Sequence, residues 1–181
     1  TNHQSPITYF PLQWEQPVLV MEGKGYIDPC PLWDEDGRVW LCHALAGSRA
    51  GLKSVLLMAE LNADALSVKI PSRIIFDGHA EHPTCEGPKL YQRNGYAYIM
   101  HPAGGVKNGW QVVQRSKNIY GPYELKVTLA QGKTAVNGPH QGGWVETPQG
   151  ENWFMHFQDV GAAGRIVHLQ PVRWVNDWPE M

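Results

Sequence analysis

YIDPCPLWDEDGRVWLCHA, residues 26–44, joins a short apolar segment, an acidic turn that ends in glycine, and an alternating aromatic strand. The same order returns in PKLYQRNGYAYIMHPA at 88–103 and in GWVETPQGENWFMHFQD at 143–159. Self-similarity at a regular spacing indicates that one supersecondary unit recurs along the chain. The sequence therefore predicts three copies of one β-rich unit.

The turns of the three units end at Gly37, Gly95 and Gly150, which lie 58 and 55 residues apart. An Asp, Asn or Gln precedes each glycine, a pairing that supplies the positive φ of a tight hairpin turn. A unit of this size holds about four short strands, as in a β-propeller blade. The sequence therefore predicts an all-β fold with blades of four antiparallel strands. The segment 54–61, SVLLMAEL, is apolar at consecutive positions, which favours a strand over the alternative of a helix.

The composition supports this fold class and limits the partners. Eight Trp, seven Tyr, 19 Gly and 14 Pro are typical of short aromatic strands separated by tight turns. Charged residues are 18% of the chain and the net charge is -2, so neither nucleic acid nor a membrane surface is expected as a partner.

The three cysteines, Cys30, Cys42 and Cys85, lack C-x-x-C spacing and are expected to be small buried residues. No apolar run approaches the roughly 20 residues of a membrane span, and the first ten residues have no signal-peptide pattern.

The length of the chain limits how much of a propeller it can form. Propellers typically close with four or more blades, whereas 181 residues hold about three units of the observed period. We therefore expect residues 1–181 to form one domain that is a partial propeller.

Three polar residues precede the hairpins at similar distances. Asp28 and Glu86 lie 9 residues before their turn glycines, and His140 lies 10 before its own. Equivalent positions on successive blades meet at one end of the propeller axis, and two carboxylates in an aromatic-walled pocket suit glycoside hydrolysis. Taken singly, each residue also has a structural interpretation: a turn cap for Asp28, a loop residue for Glu86, and a hydrogen-bonded loop histidine for His140.

Five segments together resemble the C-terminal part of glycoside hydrolase family 43, over about residues 14–181. They are IDPCPLWDEDGRVWL, EGPKLYQRNGYAYI, RSKNIYGPYE, GPHQGGWVETPQGENWFMHFQD and GRIVHLQPVRWVNDWP. The resemblance implies a five-bladed propeller of inverting, exo-acting β-xylosidases and α-L-arabinofuranosidases that act on plant cell-wall polysaccharides. It also favours a secreted or periplasmic location and requires no cofactor.

The resemblance implies roles for single residues. Glu86 resembles the general acid, and Asp28 resembles the aspartate that positions this acid and keeps it protonated through like-charge repulsion. His140 resembles a histidine on the central axis, near a structural calcium ion or its waters. Arg165 matches an arginine that reaches toward the sugar and the acids.

The chain departs from the family pattern in two places. The family's general base lies on a first blade that has no counterpart here, and residues 1–13 contain no Asp. The missing blades would come from another segment of a longer chain, from a second chain or from self-association, and each alternative predicts large apolar blade faces. Val106 and Trp110 stand where many relatives have Thr and His, and Trp110 either lines the pocket or packs between blades.

Two functions follow from these observations. The first is a glycosidase whose acid and tuning residue lie on this chain. The second is a non-catalytic carbohydrate-binding or assembly fragment. A metal-dependent hydrolase is a weaker third alternative, because neither H-x-x-x-H nor H-E-x-x-H occurs.

Overall fold

The computed structural model describes residues 15–181, and its regular structure is almost entirely β. The first sheet has the strand order β1-β2-β3-β4, and its strands are β1 Tyr26–Trp33, β2 Val39–Leu45, β3 Val55–Leu61 and β4 Val68–Asp77. The second sheet repeats this order with β5 Lys89–Arg93, β6 Tyr96–Ala103, β7 Trp110–Ser116 and β8 Glu124–Leu129. All neighbouring strands in these two sheets are antiparallel. The predicted four-stranded blade is therefore confirmed twice.

The third unit differs from this pattern. Its sheet has three strands in the order β11-β10-β9, namely β9 His140–Glu146, β10 Asn152–Asp159 and β11 Arg165–Pro171. The following segment does not pair with β11 as a fourth strand; it forms a separate hairpin of β12 Arg173–Val175 and β13 Trp178–Glu180. The prediction of four strands is wrong for this unit, because Val172 bonds through its N–H to the carbonyl of Asn152 and the chain then turns toward the second sheet.

Within residues 15–181, the helical content is limited to single turns between strands. These are α1 Gly47–Ala50, α2 Gly105–Asn108 and a 3-10 turn at Gly161–Ala163. The segment SVLLMAEL contains β3, so its interpretation as a strand is confirmed. None of the helices formed by residues 15–181 is long and apolar enough to cross a membrane.

The hairpin turns adopt the backbone conformation that their residues predict. Gly37, Gly95 and Gly150 have φ values of 75°, 71° and 85°, a region that costs glycine little because it lacks a Cβ atom. Asn94, before Gly95, also has a positive φ of 50°. Hence β5 and β6 are joined by a two-residue turn, whereas five residues separate β1 from β2 and β9 from β10.

Apolar side chains fill the space between the first two sheets. The residues fully buried there include Trp40, Cys42, Leu56, Met58, Cys85, Ile99, Ala103 and Val112. All three cysteines are free thiols, and the expectation of burial holds for Cys42 and Cys85, whereas Cys30 is half-buried. Burial raises the pKa of the Cys85 thiol to about 12, so it packs as a neutral group.

One buried histidine recurs in the second strand of every unit. The Nδ1 atoms of His43, His101 and His156 lie 3.2, 3.1 and 3.3 Å from the carbonyl oxygen of the residue that follows each of them. Because a carbonyl can only accept, Nδ1 carries the proton in each ring. Burial lowers the pKa of all three, and that of His101 falls to about 4. These rings are therefore neutral core residues.

Two apolar faces remain exposed at the ends of the described array. One lies on the first sheet and the segment before it, where Val18, Leu19, Tyr26 and Trp33 are exposed. The other lies on the third sheet, where Met155 is the cross-strand partner of Leu169 and both are exposed, as are the nearby Val145 and Val167. The predicted apolar blade faces are thus present within residues 15–181. The single-domain prediction for 1–181 stays a prediction, and its first 14 residues lie outside the described part.

Candidate active site

The first strands of the three sheets begin with the same backbone irregularity. Asp28, Gly87 and Gln141 have φ values of 53°, 56° and 49°, all in the left-handed region. The ladder between β1 and β2 shifts its register between Ile27 and Cys30, and the ladder of β9 with β10 shifts at the corresponding place. Such bulges redirect a side chain at a strand end, and they occur preferentially beside functional sites.

This irregularity shifts the second unit by one residue relative to an alignment on the turn glycines. The positions before it are Ile27, Glu86 and His140, so Glu86 corresponds to His140, whereas Asp28 corresponds to Gly87 and Gln141. Nine residues before the turn glycine lie Asp28, Glu86 and Gln141, so only the second unit differs, because the β5–β6 turn is shorter than the other two.

Asp28 contacts both of the other units through one carboxylate oxygen. The backbone N–H of Gly87 donates to its Oδ2 at 2.9 Å, and Nε2 of Gln141 donates to the same oxygen at 3.1 Å. Hydrogen bonds to a carboxylate stabilise its charged form. Because its two donors come from the second and third units, residues of all three units meet at this side chain.

Glu86 and His140 form a second contact between units. Nε2 of His140 lies 2.9 Å from Oε1 of Glu86; the histidine side chain is 2% exposed and the glutamate 35%. Nδ1 of His140 is buried and has no hydrogen-bond partner among the described residues. Since the ring also packs edge-on against Phe157, it is fixed in place while Glu86 keeps access to solvent.

The predicted residues Asp28, Glu86 and His140 thus lie together. Asp28 bonds to the residue that directly follows Glu86, and His140 bonds to Glu86 itself. A partly exposed carboxyl group beside a second, hydrogen-bonded carboxylate is an arrangement that can exchange a proton with a bound ligand.

Arg165 lies at the start of β11, at the same end of the strands. Its guanidinium group is exposed and stacks on the ring of Phe157 at 4.6 Å, and Phe157 in turn contacts His140. Among the described residues it forms no ion pair with Asp28 or Glu86. Arg165 is therefore one aromatic ring away from His140, at the edge of the site.

Trp110 packs between structural elements. Its Nε1 donates to Nδ1 of His82 at 3.1 Å, and its ring lies against the core between the first two sheets. Gly104 approaches the indole so closely that a Cβ atom there would lie 2.3 Å from it. Of the two alternatives for Trp110, these contacts match packing.

A family model matches nearly the whole chain. The model described as glycosyl hydrolases family 43 matches residues 12–179. The chain belongs to this family. Its two four-stranded sheets and incomplete third unit are accordingly part of a family 43 propeller.

The relatives of this family 43 chain include proteins named for xylosidase activity. It is 43% identical over 166 residues to a putative beta-xylosidase of Xylanibacter ruminicola, covering 92% of this chain and 30% of the relative. It is 32% identical to xylosidase/arabinosidase 43B of Humicola insolens, over 91% and 33% of the two chains. The crystal structure of xylan beta-1,4-xylosidase from Bacillus halodurans C-125 superposes with a TM-score of 0.73 at 27% identity, over 86% of this chain and 33% of that one. The family 43 chain therefore spans about a third of the length of these relatives.

Gly87 and Gln141 were not among the predicted site residues. The signal was present in the tripeptides IDP, EGP and HQG, whose central residues share the left-handed conformation. Proline or glycine after each of them marks a break in regular strand geometry. Aligning these tripeptides, instead of counting from the turn, would have paired Asp28 with both residues.

Proposed function

We propose that this chain carries the general acid of an inverting, exo-acting glycosidase that releases xylose or arabinofuranose from plant cell-wall polysaccharides and oligosaccharides. The observation that carries this proposal is the convergence of Asp28, Glu86 and His140 at the starts of β1, β5 and β9. The names of the relatives, putative beta-xylosidase and xylosidase/arabinosidase 43B, support this substrate class.

The reaction assigns one proton transfer to this chain. Glu86 gives its proton to the glycosidic oxygen as the bond from that oxygen to the anomeric carbon breaks, and water adds to the opposite face of that carbon. A base outside the described residues takes the proton of this water, at the roughly 6.5–9.5 Å from the acid that leaves room for it. Oε2 of Glu86 has no hydrogen bond within the described part of the chain and is the oxygen free to face the substrate; Oε1 is held by His140. Arg165, at the edge of the site, is the proposed sugar-binding cation.

Asp28 acts on this proton transfer through charge. Its carboxylate lies against the segment that carries Glu86, since it accepts a hydrogen bond from the N–H of Gly87. Its two donors, from Gly87 and Gln141, hold this carboxylate in place.

The calcium ion implied near His140 stays a proposal, and it takes no part in the proposed reaction. Calcium prefers oxygen ligands, whereas the buried, unpartnered atom of His140 is the nitrogen Nδ1. Residues 15–181 contain no group of three His, Cys, Asp or Glu side chains that could hold a metal ion. The described residues therefore do not by themselves fit a calcium site, and an ion bound through water would need ligands from elsewhere.

The two exposed apolar faces are the proposed contact surfaces of the missing blades. Faces of this kind are normally covered, and the chain spans 30% of its relative from Xylanibacter ruminicola. The covering blades come from another segment, another chain or self-association. Secretion or export to the periplasm is likewise proposed.

A substitution of Glu86 tests the general-acid role in the full-length protein. Glu86→Gln is expected to lower kcat on xylobiose by about 10²–10⁴-fold, because its sugar leaving group needs a proton. Hydrolysis of an aryl xyloside or arabinofuranoside with an acidic phenol should fall much less. The matched control is Glu81→Gln, an exposed glutamate in the same β4–β5 connection. Unchanged turnover of xylobiose by Glu86→Gln would remove Glu86 from this role.

A second candidate is a carbohydrate-binding fragment without turnover. In this function, the cluster of Asp28, Glu86 and His140 would bind a sugar without breaking a glycosidic bond. Calorimetric titration with xylo- and arabino-oligosaccharides beside a turnover assay separates the two functions. Binding without hydrolysis in the assembled protein would favour the fragment.

A further inference from the structure

The bulge at the start of β9 directs two consecutive side chains to two different carboxylates. His140 contacts Oε1 of Glu86, and Gln141 donates from Nε2 to Oδ2 of Asp28. Neighbouring residues of a regular strand point to opposite faces. The left-handed φ of Gln141 breaks this alternation, so one short segment reaches both acids.

The amide of Gln141 occupies space that the second unit leaves open. A Cβ atom on Gly87 would lie 2.3 Å from Oε1 and 2.6 Å from Nε2 of Gln141. Gly87 is buried, and its N–H is the other donor to Oδ2 of Asp28. The amide of Gln141 therefore fits against position 87 only because glycine has no side chain there.

The two donors orient the Asp28 carboxylate. Both bonds are made to Oδ2, and Oδ1 has no hydrogen-bond partner among residues 15–181. With two donors from two sheets on a single oxygen, rotation about the Cβ–Cγ bond is restricted. Oδ1 is thereby left for the substrate or the acid.

We propose that Gln141 is a positioning residue, which holds Oδ2 of Asp28 against Gly87 and so sets the orientation of Asp28 relative to Glu86. This inference rests on the proposed function, since the orientation matters only if Glu86 donates a proton. Gln141 itself contacts neither the leaving group nor the reacting carbon. Because the amide is neutral, it orients the carboxylate without cancelling its charge.

The test uses Gln141→Met in the full-length protein, because methionine keeps the length of the side chain but has no N–H donor. If Asp28 loses its orientation, kcat on xylobiose should fall about 10-fold, as proton donation becomes less efficient. An aryl xyloside with an acidic phenol needs little proton donation, and its kcat should fall less than about 3-fold. A purely structural role would lower both rates equally. An unchanged ratio of the two rates would overturn the proposal.

Two further variants keep this result interpretable. Gln141→Gly removes the amide and tolerates the left-handed backbone, so it should show the same ratio if methionine disturbs folding. Gln158→Met is the matched control, since Gln158 lies on the same sheet and donates to the carbonyl of Ala135 and not to either acid. It should leave the ratio of rates unchanged.

A stability cycle tests the contact without using activity. Urea midpoints are measured for Gln141→Met, for Asp28→Ala and for the double variant of the full-length protein. If the Gln141–Asp28 bond exists, the two shifts are less than additive. Additive shifts would overturn the contact, whatever the activity. If the shifts are not additive but the unsubstituted full-length protein hydrolyses neither xylobiose nor the aryl xyloside, the contact is retained and the proposed function is rejected.

Discussion

The two ends of the strands are held together in different ways. At the starts of β1, β5 and β9, the sheets meet through hydrogen bonds to Asp28 and Glu86, and the residues there have left-handed backbone conformations. At the opposite end, aromatic rings and an arginine bind the β12–β13 hairpin to the second and third sheets. The first end keeps polar groups near solvent, and the second buries apolar area.

The contacts of the hairpin explain its anchoring. The ring of Trp174 lies edge-on to Tyr98 at 5.3 Å and to Trp144 at 5.0 Å. Nη1 of Arg115 donates to the carbonyl oxygens of Asn176 and Asp177 at 2.7 and 3.0 Å. These residues fasten the tip of the hairpin to the second sheet. Non-glycine residues in left-handed conformations cost free energy, and they persist where the surrounding structure is well fixed. Asn176 and Asp177 at the tip of the hairpin are themselves left-handed, with φ values of 51° and 58°, and these contacts hold them in place.

The largest expected effect tests the hairpin end. Trp174→Ala should lower the free energy of unfolding by about 2–4 kcal/mol, because it removes a half-buried indole from an aromatic cluster. Urea unfolding of the chain measures this change. Trp33→Ala is the control, because Trp33 is 58% exposed on an open face and its loss should cost less than about 1 kcal/mol. Equal costs for the two substitutions would contradict the anchoring role of the hairpin.

A second prediction concerns the three buried histidines of the second strands, His43, His101 and His156. Burial lowers the pKa of His101 from 6.5 to about 4, so the unfolded chain binds more protons than the folded one below pH 6.5. Stability should therefore fall as the pH drops from 6.5 toward 4, by about 2–3 kcal/mol at pH 4.5 from His101 alone. The lowered pKa values of His43 and His156 act in the same direction.

Urea midpoints at pH 7.5 and 4.5 measure this loss. His101→Gln should reduce the difference between the two midpoints. His79→Gln should leave it unchanged, because His79 is exposed and pairs only with Asp77. A midpoint that is equally high at both pH values would show that the buried rings do not limit acid stability.

The smallest expected difference, between a variant and its matched control, tests the site end. Gly87→Ala places a methyl group against the Gln141 amide and puts alanine at φ 56°. Gly37→Ala is the matched control, since its φ is 75° and a Cβ atom there meets nothing within 4 Å. The control should cost about 1–2 kcal/mol from the left-handed backbone alone. Gly87→Ala should cost about 1 kcal/mol more, because it also disturbs a hydrogen bond to Asp28. Equal costs would show that the amide moves away without loss.

Much of the fold could be predicted because its signals are local. Glycine after Asp, Asn or Gln marked the turns, and the aromatic strands between them carried the repeat. The fourth strand of the third unit was predicted wrongly, because after β11 the chain packs Trp174 on Tyr98 and Trp144 and does not pair with β11. Such a competition involves residues far apart in the chain.

The candidate site could likewise be predicted only in part. Asp28, Glu86 and His140 could be singled out from their places before the hairpins, but their alignment was displaced by one residue because the β5–β6 turn is short. The residue that holds Asp28 was missed altogether. Gln141 lies 113 residues from Asp28, and no local preference relates the two.

Local sterics and side-chain alternation were sufficient for the turns, the strands and the recurrence of the unit, because each depends on a few neighbouring residues. Only the tertiary structure determined which polar atoms meet at the ends of those strands. Asp28 and Gly87 are 59 residues apart, and their contact depends on bulges and loop lengths that shift an entire strand by one residue. Because a shift of one residue turns a side chain to the opposite face, the acid site is a property of the assembled sheets.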